Sequence, residues 1–287
     1  MNIHQLYADV TANIIKDLEA GTAPWVKPWK SGNTGGILPM NVATKRSYNG
    51  INIPILWHAQ IARGYPKASW MTYKQALELG AQVRGGEKST HVVFTKKLNV
   101  KDEETDEERK IAMLKVYSVF NVAQIDGLHQ EIPVVVPQEQ RQDAVTAFIA
   151  ATKADIRTGG DRACYIPALD FIMLPPEIAF NTRQHFLATS LHECSHWTGA
   201  KHRLDRDLKS RFNEKAYAAE ELIAELSAAF LCAYLNIKGE LKHAGYIASW
   251  IDLLKDDDRA IFTASSRASQ AADYLRTFSE PQQEEAS

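Results

Sequence analysis

The chain has 287 residues, 45% hydrophobic and 24% charged, enough to bury one large core or two modest ones. Its three cysteines, Cys164, Cys194 and Cys232, lie too far apart for a disulfide framework or a CxxC metal knuckle, and no apolar run nears the roughly 18 residues of a membrane span. These features exclude a disulfide-stapled scaffold and a helical membrane protein, and with no basic-then-apolar start a cytoplasmic location is expected. The net charge of −2 conceals a division: residues 1–101 hold 13 Lys+Arg against 5 Asp+Glu, whereas residues 136–287 hold 17 against 22. The basic and acidic halves are expected to meet different partners.

Residues 4–19 carry Leu6, Tyr7, Val10, Ile14, Ile15 and Leu18 at helical spacing and stop at Gly21, which predicts one amphipathic helix. From Thr22 to Met40 the chain is rich in Pro, Gly and Trp and reads as a loop. A short helix is predicted over 73–79, ending at Gly80. Strands are predicted over 91–95 and 113–120, flanking the segment 102–109, where six acids among eight residues read as a solvated hairpin loop. Pro133 and Pro137 bracket an apolar stretch before a helix over 139–152, so a domain junction is placed there, between 1–135 and 136–287. Strands near 164–166 and 170–174 follow, then mostly helix. One helix has Asn181 as its expected N-cap, with Gln184 three residues on, and ends at Gly199; another runs from about 213 to 235. The tail after Pro281 is polar and reads as frayed. The expected fold is α+β, a mixed N-terminal domain followed by a mostly helical domain with a small sheet.

His192-Glu193-Cys194-Ser195-His196 fits the HExxH pattern on the first of those helices. Residues four apart share a helix face, so both imidazoles can reach one cation, and Glu193 lies beside them. Zinc bound this way acidifies its water, and an adjacent carboxylate can take the proton and hand it to a leaving group. A third ligand is needed, and Glu220, Glu221 and Glu225 lie one helix downstream. Glu221 and Glu225 share a face, so one is assigned to the metal and the other to the hydrogen bond that a ligating imidazole donates, Glu221 being the preferred ligand. Glu220 reads as a solvated face. His202 is an alternative ligand, Tyr217 a candidate oxyanion stabiliser, Cys194 a packing residue, and the strand at 170–174 a candidate for pairing with an extended peptide. One Zn2+ per chain is expected, with another divalent cation as the alternative.

Four of the six tryptophans, Trp25, Trp29, Trp57 and Trp70, fall in the first 70 residues, and Trp25 to Lys30 interleaves rings with cations. Exposed rings can stack unpaired bases while Lys and Arg follow phosphates. On that reading Trp25, Lys27, Trp29, Lys30, Lys45, Arg46, Tyr48, Trp70, Arg84 and Lys88 are the nucleic-acid candidates, with Lys67, Lys74, Lys96 and Lys97 extending the track. Burial is the ordinary fate of tryptophan and weighs against it; Trp57, in an apolar stretch, is assigned to the core. Gly85 to Thr90 lacks the glycine spacing of a phosphate loop.

These residues together resemble the ArdC family of antirestriction proteins, found on conjugative plasmids and related to the N-terminal part of TraC-type plasmid primases. In the N-terminal half the resemblance rests on the Trp25 to Trp29 loop, on Pro39 to Asn41 leading to Tyr48 to Asn52, and on Trp70 to Tyr73 followed by Gly80 to Lys88. In the C-terminal half it rests on Asp170 to Pro175, His192 to Gly199 and Glu220 to Glu225. It implies a single-stranded-DNA-binding domain joined to a zincin-like metallopeptidase domain, protecting incoming plasmid DNA, with single-stranded DNA and a host restriction-system protein as partners. A DNA-coating factor with a structural or vestigial metal site is the alternative reading. A metal-dependent nuclease fits less well, because two-metal nuclease sites are richer in carboxylates.

Overall fold

The spacing of apolar side chains in α1 (Ile3–Glu19) turns Leu6, Val10, Ile14 and Leu18 to one buried face, and Gly21, at φ +68°, ends the helix in the left-handed region that favours glycine. The computed structural model describes residues 3–21, 23–25, 38–101, 108–128, 136–206, 214–239 and 245–279, with the side chains of 95–101 and 108–113 left aside. The polar tail after Pro281 and most of the Trp-rich loop lie outside them.

The N-terminal half is organised on a five-stranded sheet in the order β2-β1-β3-β6-β5. Its strands are β1 (Met40–Asn41), β2 (Arg46–Ser47), β3 (Ser69–Thr72), β5 (Thr90–Lys101) and β6 (Glu108–Asn121). A two-residue ribbon, β4 (Gln82–Val83) with β7 (Ile125–Asp126), stands beside it. The long hairpin β5–β6 pairs from Thr90↔Val119 to Lys101↔Glu108. Both strands therefore outrun the predicted 91–95 and 113–120, and Glu108 and Arg109, expected in the loop, are paired with Lys101 and Val100 in the ladder. Between β2 and β3 lies α2 (Asn52–Ala62), whose Ile53, Leu56 and Trp57 are buried. The Asn52 amide donates to Val93 O at 2.7 Å and accepts from Val93 N at 2.8 Å, completing the backbone pairing at the sheet edge. α3 (Tyr73–Glu78) begins with a capping box between Thr72 and Gln75.

The C-terminal half opens with α4 (Gln138–Ala151) and a three-stranded sheet in the order β8-β10-β9. These are β8 (Asp155–Thr158), β9 (Cys164–Ile166) and β10 (Phe171–Leu174); β10 runs parallel to β8 and antiparallel to β9. β8, with Ile156 its one apolar residue, carries too little alternation to be read from sequence. α5 (Arg183–Trp197) starts one residue later than expected: Thr182, not Asn181, accepts from His185 N at 3.0 Å. α6 (Glu214–Tyr234) is buried almost all round from Glu221 to Ala233, between α5 and α8 (Ala260–Arg276), with α7 (Ile247–Asp256) alongside.

The largest buried cluster draws on both halves of the chain. The Trp57 ring lies 5.9 Å from that of Phe230, and Trp25 lies 6.1 Å from Trp250. α1 packs on α7, with Thr11 Oγ1 donating to Asp258 O at 2.7 Å. This shared core fixes the helices that carry the site. Among the described residues no helix is long and apolar enough to cross a membrane.

Candidate metal centre and nucleic-acid face

The helical spacing of His192 and His196 places their Nε2 atoms 3.2 Å apart, and α6 crosses behind them to supply Glu221. Glu221 Oε2 stands 3.5 Å from His192 Nε2, and its Oε1 stands 3.6 Å from His196 Nε2. Ligands at ~2.0–2.1 Å from zinc occupy tetrahedral corners about 3.3 Å apart, so the two imidazole nitrogens stand at that spacing, and the Glu221 carboxylate sets one oxygen toward each of them. Among the described residues this is the cluster of His, Cys, Asp and Glu with metal-binding spacing. The donor set fits a divalent cation.

The other nitrogen of each ring faces a carboxylate. His192 Nδ1 is 3.7 Å from Glu225 Oε2, and His196 Nδ1 is 3.1 Å from Glu220 Oε1. An Nδ1–H donated to Glu220 leaves the His196 lone pair on Nε2, the form that can ligate a cation, and Glu225 stands on the Nδ1 side of His192. Glu220, expected on a solvated face, is instead only 12% exposed at its side chain and is gripped by Arg206, whose Nε and Nη2 reach its two oxygens at 3.0 and 2.9 Å. Here α5 lies across α6, and a buried guanidinium supplies the counter-charge that a buried carboxylate requires. Burial disfavours ionisation of Glu220 and Glu221, but His196 and Arg206 beside Glu220, and His192 and His196 beside Glu221, outweigh it and hold both carboxyls below their ordinary range.

The site opens into a cleft of about 600 Å³. Glu193, 6% exposed, lines it beside His192. Tyr217 also lines it, and its hydroxyl lies 3.1 Å from that of Tyr246, a cleft residue that no sequence signal singles out. Burial above all, with the nearby Glu221 charge, pushes both phenols above their ordinary value, so both remain donors. The strand at the cleft is β9, through Cys164 and Tyr165. β10, the strand proposed for peptide pairing, is central and already paired on both sides. His202, the alternative ligand, is 64% exposed at its side chain and stands 3.3 Å from Asp170, outside the cluster. Cys194 is 1% exposed, and burial pushes its thiol up to about 12, as suits a packing residue.

The segment after α5 braces the cleft. Arg203 lies over the Trp197 ring at 3.9 Å, donates to Trp197 O at 2.6 Å and to Tyr165 OH at 3.1 Å, and pairs with Asp170. It ties the helix of His192 and His196 to the edge strand.

The nucleic-acid candidates divide sharply. Trp25, Trp70 and Tyr48 are 1%, 0% and 6% exposed, so none presents a ring face to a base; a large ring contributes most when sealed from water. Lys45, Arg46 and Lys88 are exposed. Arg84 is engaged with Glu87 at 2.7 Å and Asp126 at 3.1 Å, Lys74 stands 3.6 Å from Glu78, and Lys67 is half-buried. Lys27, Trp29 and Lys30 lie outside the described residues, as do the side chains of Lys96 and Lys97. The structure adds an exposed pair that sequence reading missed: Phe94 and Tyr117, 44% and 37% exposed, meet edge to face at 5.4 Å. Lys115 Nζ lies 5.2 Å from the Tyr117 ring centre. Only the register of the hairpin brings these three together.

The fold and the site define a zincin-like metallopeptidase domain, and residues 143–267 match that family's model. Residues 4–120 match the N-terminal domain of the anti-restriction factor ArdC. The chain belongs to the ArdC family of antirestriction proteins. It superposes on the metal-free crystal structure of antirestriction protein ArdC from plasmid R388 with a TM-score of 0.80 and 44% identity, covering 95% of this chain and 97% of that one. The Mn(II)-bound structure gives 0.79 and 41%, covering 97% and 99%. The uncharacterized protein y4eC of Sinorhizobium fredii is 42% identical over 94% of this chain and 91% of its own length. A DNA primase TraC of Escherichia coli is 39% identical over 97% of this chain, which spans 28% of that primase.

Proposed function

We propose that this protein is an antirestriction factor with two working surfaces: a single-divalent-cation peptidase centre held by His192, His196 and Glu221, and a face for single-stranded DNA on the N-terminal sheet. The observation that carries the first is the pair of Nε2 atoms 3.2 Å apart in the lining of the cleft, with the two Glu221 oxygens 3.5 and 3.6 Å from them. The manganese-bound relative supports a divalent cation, and a His2Glu donor set is one that zinc takes in catalytic sites.

When bound, the cation supplies Lewis acidity and lowers the pKa of its water. Glu193 is the general base that takes a proton from that water and returns it to the leaving amine. Of the paired Tyr217 and Tyr246 hydroxyls, the one that accepts from the other keeps its own proton to donate to the developing oxyanion. β9 offers an edge for an extended peptide, and a protein of the host restriction system is the substrate class that the antirestriction role implies.

For DNA, the Phe94–Tyr117 pair offers stacking faces while Lys115, Lys45, Arg46 and Lys88 offer phosphate contacts. This face is separate from the cleft, and masking DNA needs no hydrolysis; that separation supports the second reading, a DNA-coating factor with a structural metal site. Glu193→Gln distinguishes the two. With peptidase action in protection, the variant retains its metal and DNA binding but loses protection of incoming DNA and any metal-dependent cleavage of test peptides. Full protection by the variant would favour the coating reading.

A further inference from the structure

We infer that Arg206 is a positioning residue for the metal centre, acting through Glu220 to fix the ring of His196. The inference rests on the metal-site reading above and adds a relay of three residues to it.

The chain after α5 turns back beneath that helix, with Asp205 at φ +48° and Arg206 N donating to Gly199 O at 3.0 Å. The Arg206 side chain is 3% exposed. Its Nη2 donates to Ser195 O at 2.7 Å and its Nη1 to Thr198 Oγ1 at 2.8 Å, which anchors the guanidinium to the end of the metal-bearing helix. From that anchor it holds both oxygens of Glu220, and Glu220 Oε1 faces His196 Nδ1 at 3.1 Å.

A planar fork matched to a carboxylate leaves it little freedom to rotate. Glu220 therefore meets His196 with a fixed acceptor, and the ring must present its Nε2 lone pair to the point shared with His192 and Glu221. The buried positive charge also lets a fourth carboxylate stand near Glu193, Glu221 and Glu225 without expelling them. The cleft-facing ligand geometry at His196 is thus set from behind, by a residue 10 positions past the motif that never faces the ion.

Arg206 also secures the end of α5, so a variant of it alone cannot separate positioning from folding. Glu220→Gln makes that separation: it preserves shape and one acceptor oxygen, and replaces the other with an amide that cannot accept from Arg206 or His196. The experiment titrates Zn2+ against a chelating dye into the full chain, wild type, Glu220→Gln, Arg206→Lys and the double variant, alongside thermal unfolding of each metal-free protein and the visible spectrum of each Co2+-substituted one. The expected result is affinity about 10- to 100-fold weaker in Glu220→Gln, with an altered cobalt spectrum and a metal-free unfolding temperature near wild type. The double variant should bind no more weakly than Glu220→Gln, since both changes break one relay. Wild-type affinity and spectrum in Glu220→Gln would overturn the relay, as would additive losses, or an affinity loss accompanied by an equal loss of metal-free stability. Failure of the wild type itself to bind Zn2+ would instead overturn the metal-site reading.

Discussion

Replacing His192 or His196 with alanine removes stoichiometric metal from the protein, a larger loss than the ~10- to 100-fold that follows from disturbing an outer partner. Each ring supplies one nitrogen to a set in which the two Nε2 atoms are 3.2 Å apart and each has a Glu221 oxygen at 3.5 or 3.6 Å, so its removal leaves two ligands and a water-filled gap. The same experiment has a second readout. An ion that binds only the folded chain stabilises it by RT ln(1 + [L]/Kd), about 4 kcal/mol at a thousandfold excess over Kd. Saturating Zn2+ should raise the unfolding temperature of the wild type and leave both alanine variants where they began. Elemental analysis after dialysis and a thermal scan with and without the ion measure both effects. A variant that keeps one equivalent of metal would refute the ligand assignment.

The second large effect separates two uses of an aromatic ring. Trp25→Ala should cost about 3 to 5 kcal/mol of stability, because it empties a site sealed against Trp250 in the core that joins the two halves. Its remaining folded fraction should bind single-stranded DNA with unchanged affinity. Phe94→Ala and Tyr117→Ala should do the reverse, each weakening single-strand binding by about 1 to 3 kcal/mol while moving the unfolding temperature little, since both rings are more than a third exposed. Affinity should also fall steeply with added salt as the lysine and arginine contacts are screened. Fluorescence anisotropy with a labelled oligonucleotide and denaturant unfolding check the two sides. If Trp25→Ala abolishes DNA binding in a fully folded protein, the burial argument for that ring is wrong.

What the sequence reveals and what it conceals follow from the range of the interactions involved. The pairing of His192 with His196 is local, because the helix repeat itself sets it, and the face shared by Glu221 and Glu225 is local in the same way. The paired β5 and β6 strands, α1, α4, α5 and α6 were legible from periodicity and from stop signals such as Gly21 and Gly199. The place of Glu220 was not. It depends on Arg206 returning from a turn after α5, a tertiary event with no repeat to announce it. Trp25 and Trp70 were misread because Pro, Gly and Lys around a ring describe a loop's backbone and say nothing about which surface the ring meets. Phe94 and Tyr117 could not be paired without the register that sets Phe94 opposite Lys115 and Val92 opposite Tyr117. β8 was missed because only Ile156 marks it, and Asn181 lost its role to Thr182 because two adjacent residues can both cap a helix and packing chooses between them.

The most direct measurement is anomalous scattering at the zinc edge from crystals of the protein grown with Zn2+. A single peak per chain is expected, about 2.0 to 2.1 Å from the Nε2 atoms of His192 and His196 and in contact with Glu221. No peak at that point under saturating ion, or a peak at His202 and Asp170 in its place, would contradict the account.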